Sequence, residues 1–123
     1  MTYSSKLTTH YLELAKLPIN EGDFAGNDVR YSSEYEVLEN ELGKATALHE
    51  TAAIDWQKVR ENSEILLSGH SKDLRVAAWL IWGLYQRESF PGLQAGFSLL
   101  HYLCINHWTE LHPRKARTRA AAI

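Results

Sequence analysis

Residues 71–85 read SKDLRVAAWLIWGLY, and this stretch decides the fold. Ser71 is a cap-type residue standing directly before an apolar segment. From there the apolar residues fall on two faces of one helix. Leu74, Ala77, Ala78, Ile81, Leu84 and Tyr85 make the first face, and Val76, Trp79, Leu80 and Gly83 the second. A helix apolar on both sides is packed by several neighbours, so a central buried helix over about 71–88 is predicted. Lys72 and Arg75 stand near its start, where the helix dipole disfavours cations. Acidic partners are therefore expected, with Asp73 the nearest. The apolar run 76–85 is far shorter than the ~20 residues of a membrane span.

Outward from this segment, helical spacing recurs and no stretch sustains the alternation of a strand. A first helix is predicted over about 8–17, with Tyr11, Leu12 and Ala15 inward and Pro18 as its stop. A second begins at Ser32 or Ser33, where Ser33 and Glu36 form a capping-box pattern. Tyr35, Leu38 and Leu42 share its inner face, and Glu34, Glu36, Glu39 and Glu41 read as a solvated face. Asp55 is placed to cap a third, with Trp56, Val59, Ser63, Leu66 and Leu67 as its stripe and Gly69 as its end. Pro91 opens a fifth. Its glycines Gly92 and Gly96, four apart, predict close contact between helices. Residues 114–123 have the composition of a helix start. The expected architecture is all-α: one compact bundle of five to six helices, the second, third and fifth packed around the fourth. The expected domain covers 1–113, and 114–123 is a basic linker or the start of a further helix in a longer parent.

Composition excludes several classes of function. The 123 residues carry 13 basic and 15 acidic side chains, a net charge of −2. Arg114, Lys115, Arg117 and Arg119 are four of those 13, which leaves 9 basic against 15 acidic and a net of −6 over residues 1–113. A mildly acidic body has no electrostatic reason to seek nucleic acid, and four tail charges supply only weak, salt-sensitive attraction. Cys104 is the one cysteine, so no internal disulfide forms, in keeping with a reducing cytoplasmic setting. The N-terminal residues lack the apolar run of a signal peptide.

Candidate chemistry is sparse. Cys104 and His107 lie three apart on one face, but zinc needs about four ligands and no second pair is evident. His101, His107 and His112 do not share the i, i+4 spacing of helical ligand pairs. Cys104 sits mid-helix among Leu100, Leu103 and Trp108, the setting of a buried structural thiol. No catalytic residue, cofactor site or metal site is expected. Asp28, Arg30, Asp73 and Arg75 are read as an ion-pair network tying the first loop to the fourth helix. The alternative is that they belong to a partner-binding surface.

Four stretches together resemble the N-terminal domain of the TssA (ImpA) family of the bacterial type VI secretion system. They are GNDVRY at 26–31 with Tyr35 and Leu38, DWQKV at 55–59, SKDLRVAAWL at 71–80, and FPGL at 90–93 followed by Gly96, Leu99, Leu100, Trp108 and LHP at 111–113. The resemblance covers about 14–113. Phe24-Ala25 stands where the family often has Pro-Cys, and the connector after His112-Pro113 is basic where many members are acidic. The motif residues it picks out are Asp28, Arg30, Tyr31, Trp56, Ser71, Lys72, Asp73, Arg75, Gly92 and Gly96.

The resemblance implies a non-enzymatic assembly component. It would act on the cytoplasmic side of the inner membrane, with sheath, tube, baseplate or membrane-complex proteins as partners. The parent would form a homo-oligomer through a C-terminal region. Tyr31, Tyr35, Trp82, Phe90 and Trp108 are candidate interaction anchors, with core membership the competing reading for most of them. The rival functions are a ligand- or nucleic-acid-binding regulatory module, and a helical enzyme domain using His107 or Cys104.

Overall fold

The computed structural model describes residues 3–28, 32–44 and 54–113. The elements among them are four helices, α1 (Tyr3–Lys16), α2 (Ser33–Gly43), α3 (Trp56–Gly69) and α4 (Leu74–His107). The all-α class is as expected, and the count of five to six helices is corrected to four. The anticipated fourth and fifth helices are one element, bent at Ser89, where φ is 56° and ψ is −136°. Pro91 lies in the first turn after the bend, where its missing amide is no loss. The anticipated sixth helix, like Arg30 and Tyr31, falls outside the described residues.

The two limbs of α4 fold back on one another. A β-carbon added to Gly92 would strike the Leu84 carbonyl and lie 2.7 Å from its carbon, and one on Gly96 would lie 2.7 Å from Ile81 Cγ1. The close contact foreseen for these glycines is thus between the halves of a single bent helix. At the far end, Leu74 N donates to His112 O, which closes the hairpin.

One helix cap follows the sequence and two depart from it. Asp55 accepts from Lys58 N at 3.2 Å, as its position implied. Ser32, rather than Ser33, caps α2 by accepting from Tyr35 N at 3.2 Å. Asp73, rather than Ser71, caps α4 by accepting from Arg75 N at 2.8 Å. The buried Ser71 hydroxyl finds no hydrogen-bond partner among the described residues. α1 starts at Tyr3, earlier than the expected position near Thr8.

The core is built from Leu7, Tyr11 and Ala15 of α1, Tyr35 and Leu38 of α2, Val59, Leu66 and Leu67 of α3, and both limbs of α4. Each fully buried Leu among them contributes roughly 1.5–3 kcal/mol relative to exposure. α1 is the main neighbour of α4 and α3 the next, while α2 packs chiefly on α3. α2 still reaches α4 through Tyr35, whose ring lies 5.1 Å from that of Trp79. The expected arrangement omitted α1 from the partners of the central helix. Its short apolar stripe gave little sign that it lies along α4. Among the described residues no helix is long and apolar enough to cross a membrane.

Candidate functional site

Three distant pieces of chain meet beside the start of α4. Gly26 and Ser71 form an antiparallel bridge, and Asp73 and His112 a parallel one. Lys72 N donates to Ala25 O at 2.7 Å, and His112 N donates to Lys72 O at 3.1 Å. His112 Nε2 donates to Gly26 O at 2.7 Å, which places its proton on Nε2. Gly26 has φ 70°, and a β-carbon there would collide with the His70 carbonyl. Backbone groups that no helix could satisfy are thereby paired.

Lys72 lies at the centre of this knot and is only 1% exposed. Its expected acidic partner is absent among the described residues. Nζ instead donates to Leu14 O at 2.9 Å and Leu67 O at 2.6 Å. These carbonyls lie in the last turns of α1 and α3, where helix dipoles leave partial negative charge. One ammonium therefore caps two helix ends, with the Phe24 ring 5.5 Å from the charge. Burial pushes the Lys72 ammonium down from the ordinary 10.5 to about 8.

That shift has a definite sign. Between pH 8 and 10.5 the folded chain has lost a proton that the unfolded chain still binds, so stability rises with pH across the window. Relative to Lys72→Met, the natural chain should gain roughly 2–3 kcal/mol between pH 7.5 and 10.5, read from denaturant midpoints. A constant difference would mean that the two carbonyls hold the charge at its ordinary value.

Asp73 is fully buried. Besides capping α4, it accepts from Arg75 Nε at 3.0 Å and from an Arg75 terminal nitrogen at 2.6 Å. The same terminal nitrogen reaches Asp28 at 3.0 Å, and the guanidinium sits 5.3 Å from the Tyr35 ring. Arg75 thus joins the first loop, α2 and α4. Asp28, Asp73 and Arg75 meet here; Arg30 lies outside the described residues.

Several interactions carried no visible sequence signal. The buried Tyr11 hydroxyl donates to Glu64 and accepts from Arg60 Nε at 2.7 Å. Burial, reinforced by Glu64, pushes the Tyr11 phenol up. Arg60 also lies 3.8 Å from Glu88 on α4. Glu41, read as part of a solvated face, is buried. It accepts from Asp55 N at 3.0 Å and pairs with Lys44 at 2.9 Å and Lys58 at 3.5 Å. The Asp55 amide, then Lys44, holds its carboxyl below the usual range.

The chemical candidates are engaged in packing. His107 stacks on Phe24 at 3.5 Å and 8°, with Nδ1 3.3 Å from Glu110. Cys104 is half-buried rather than buried. The described residues include no group of three or more His, Cys, Asp and Glu side chains placed to hold a metal ion.

The candidate anchors separate into two kinds. Tyr35 is buried in the core, which corrects its assignment as an anchor, and Tyr31 lies outside the described residues. Trp82, Phe90 and Trp108 are exposed, so core membership does not hold for them. Trp82 stands edge-on to half-buried Trp56 at 4.9 Å, and Tyr85 meets Phe90 at 6.1 Å. Trp82 and Tyr85 are one turn apart on α4, so the four rings form a run ending at the bend. Phe90 is 72% exposed.

The knot is assembled from Gly26, Ser71 to Asp73, Arg75 and His112, which belong to the motifs that carry the family resemblance. The family described as ImpA, N-terminal, type VI secretion system, matches residues 17–123. The chain belongs to the ImpA N-terminal family. Among solved structures, this ImpA N-terminal chain is similar to the N-terminal domain, including the conserved ImpA_N region, of the TssA component of the type VI secretion system from Burkholderia cenocepacia. The two share 30% identity and a TM-score of 0.76, over 90% of this chain and 44% of that one. The ImpA N-terminal chain thus spans less than half the length of that structure. No curated protein matches it.

Proposed function

We propose that this chain is the interaction domain of a TssA-like assembly protein, acting at the baseplate and at the contractile sheath and tube of the type VI secretion system. Family membership supports a role in that apparatus. The observation that carries the docking role is the run of rings from Trp56 through Trp82 and Tyr85 to Phe90. Large exposed aromatics cost solubility and are typical anchors of protein interfaces. In this reading residues 1–113 dock, and 114–123 lead toward an oligomerising region of the parent on the cytoplasmic side of the inner membrane. The polar knot serves folding, and no side chains converge on bond chemistry.

The double variant Trp82→Ala, Phe90→Ala tests the reading. Both side chains are exposed, so the fold should survive. Capture of purified baseplate, sheath or tube proteins should fall by roughly tenfold or more, as expected for loss of aromatic anchors. Undiminished capture would remove the aromatic run from the role. Nucleotides and divalent metals should leave the melting temperature unchanged.

A further inference from the structure

The run of rings depends on the bend in α4. Tyr85 and Phe90 are five residues apart on that helix. On a straight helix they would point about 140° apart around the axis, on nearly opposite sides. Their ring centroids nevertheless lie 6.1 Å apart, at an interplanar angle of 66°. The contact exists because the helix turns back at Ser89, between them. Trp82 shares a face of the first limb with Tyr85, and it meets Trp56 of α3 at 4.9 Å. Three pieces of backbone therefore build one surface: α3 and each limb of α4.

The strain of this arrangement sits at Ser89. Its φ of 56° and ψ of −136° suit glycine, and a β-carbon makes them unfavourable. No other non-glycine residue among those described has a positive φ. Such a residue persists only where its surroundings over-determine it, and such residues gather where function needs a particular shape. Here the surroundings act from several sides. Pro91 lacks the amide that a continuous helix would use, and its ring would meet the Arg87 carbonyl. Gly92 packs against the Leu84 carbonyl. Glu88 lies 3.8 Å from Arg60, whose Nε donates to the Tyr11 hydroxyl at 2.7 Å. Arg60 stands one turn after Trp56 on α3, so this ion pair also ties the two ends of the ring run together.

We infer that Ser89 is the positioning residue of the docking surface: by holding α4 bent it brings Phe90 into register with Tyr85, Trp82 and Trp56, and the partner recognises only the bent form. No single helix presents the four rings together. The partner therefore reads the assembled fold and not a linear segment. This inference rests on the docking role proposed above and adds its conformational requirement.

In the natural chain, nuclear Overhauser contacts between the Tyr85 and Phe90 rings are expected in solution, and their absence overturns the proposal. Position 89 then separates shape from composition. Ser89→Gly takes the same φ without a β-carbon, so the melting temperature should rise while the ring contact and capture of purified baseplate, sheath or tube proteins are retained. Ser89→Val keeps all four rings in the sequence, but a β-branched residue rejects a positive φ. Its ring contact should disappear and its capture fall by roughly tenfold or more, with helicity by circular dichroism retained. Should Ser89→Val not fold, Gly92→Ala supplies the same comparison, because its methyl forces the limbs apart. Asp73→Ala, weakened at the other end of α4, is the control for lowered stability and should keep both contact and capture at temperatures where it is folded. A folded Ser89→Val chain that keeps the ring contact overturns the proposal, as does any variant that loses the contact yet captures like the natural chain. If the double variant Trp82→Ala, Phe90→Ala also captures normally, the docking role itself falls. If that double variant fails to capture while the unbent chains succeed, only the requirement for the bend falls.

Discussion

Asp73→Ala is expected to lower the unfolding free energy by about 3–5 kcal/mol, enough to consume much of the 5–15 kcal/mol of a typical domain. Two losses coincide. The cap on α4 goes, at roughly 1 kcal/mol. The greater loss is electrostatic, because the Arg75 guanidinium is deprived of its two closest acceptors in a site where its side chain is only 12% exposed. Asp28 remains at 3.0 Å, but its half-exposed carboxylate is shared with water and compensates weakly. Urea denaturation of the variant beside Arg75→Ala and the double variant separates the cap from the ion pair. The double variant should be less destabilised than the sum of the singles, since the stranded charge is gone. Strict additivity would mean that Asp73 acts as a cap alone.

Gly92→Ala should cost about 3 kcal/mol despite occupying a helix, where alanine is ordinarily favoured by about 1 kcal/mol. The added methyl would run into the Leu84 carbonyl and lie 2.9 Å from Glu88 Cβ. Leu84 O is helix backbone and cannot swing aside, so the limbs of α4 must part. Gly69 is the internal control. A β-carbon there meets nothing within 4 Å and no left-handed φ is involved, so Gly69→Ala should be neutral or stabilise by up to ~1 kcal/mol. Equal melting temperatures for the two variants would show that the hairpin is not tightly closed at Gly92.

The difference between what the sequence disclosed and what it concealed lies in range. The stripe of Val59, Ser63, Leu66 and Leu67, and the Asp55 cap before it, were legible because they depend on neighbours within one or two turns. Ser71 and Asp73 are both cap-type residues, and the choice between them depends on a strand-like pairing of Ser71 with Gly26 far away. The partners of Lys72 are main-chain carbonyls, which carry no residue identity to be read. Glu41 looks like three other glutamates on its helix until the amide of Asp55 docks on it. At the bend, Ser89 takes a φ that favours glycine, so the continuity of α4 had no local signal. The candidate site divided the same way. Asp73 and Arg75 are near neighbours in the chain and were foreseen as a pair, whereas His112, 86 residues from the Gly26 carbonyl it bonds, was not placed in the knot.

The junction of Ala25, Gly26, Lys72, Asp73 and His112 also imposes an order on assembly. The two limbs of α4 are near neighbours along the chain and can associate early, as local contacts do. The junction cannot close until His112 has been synthesised, because its amide, carbonyl and ring each complete a different bond. On the ribosome the nascent helices would therefore stay loosely docked, with the Lys72 carbonyl and Leu74 amide still wet, until almost the whole of this region has emerged. The final strand-like contact acts as a latch on translation-coupled folding, set by a residue near the end of the described chain rather than by the central helix.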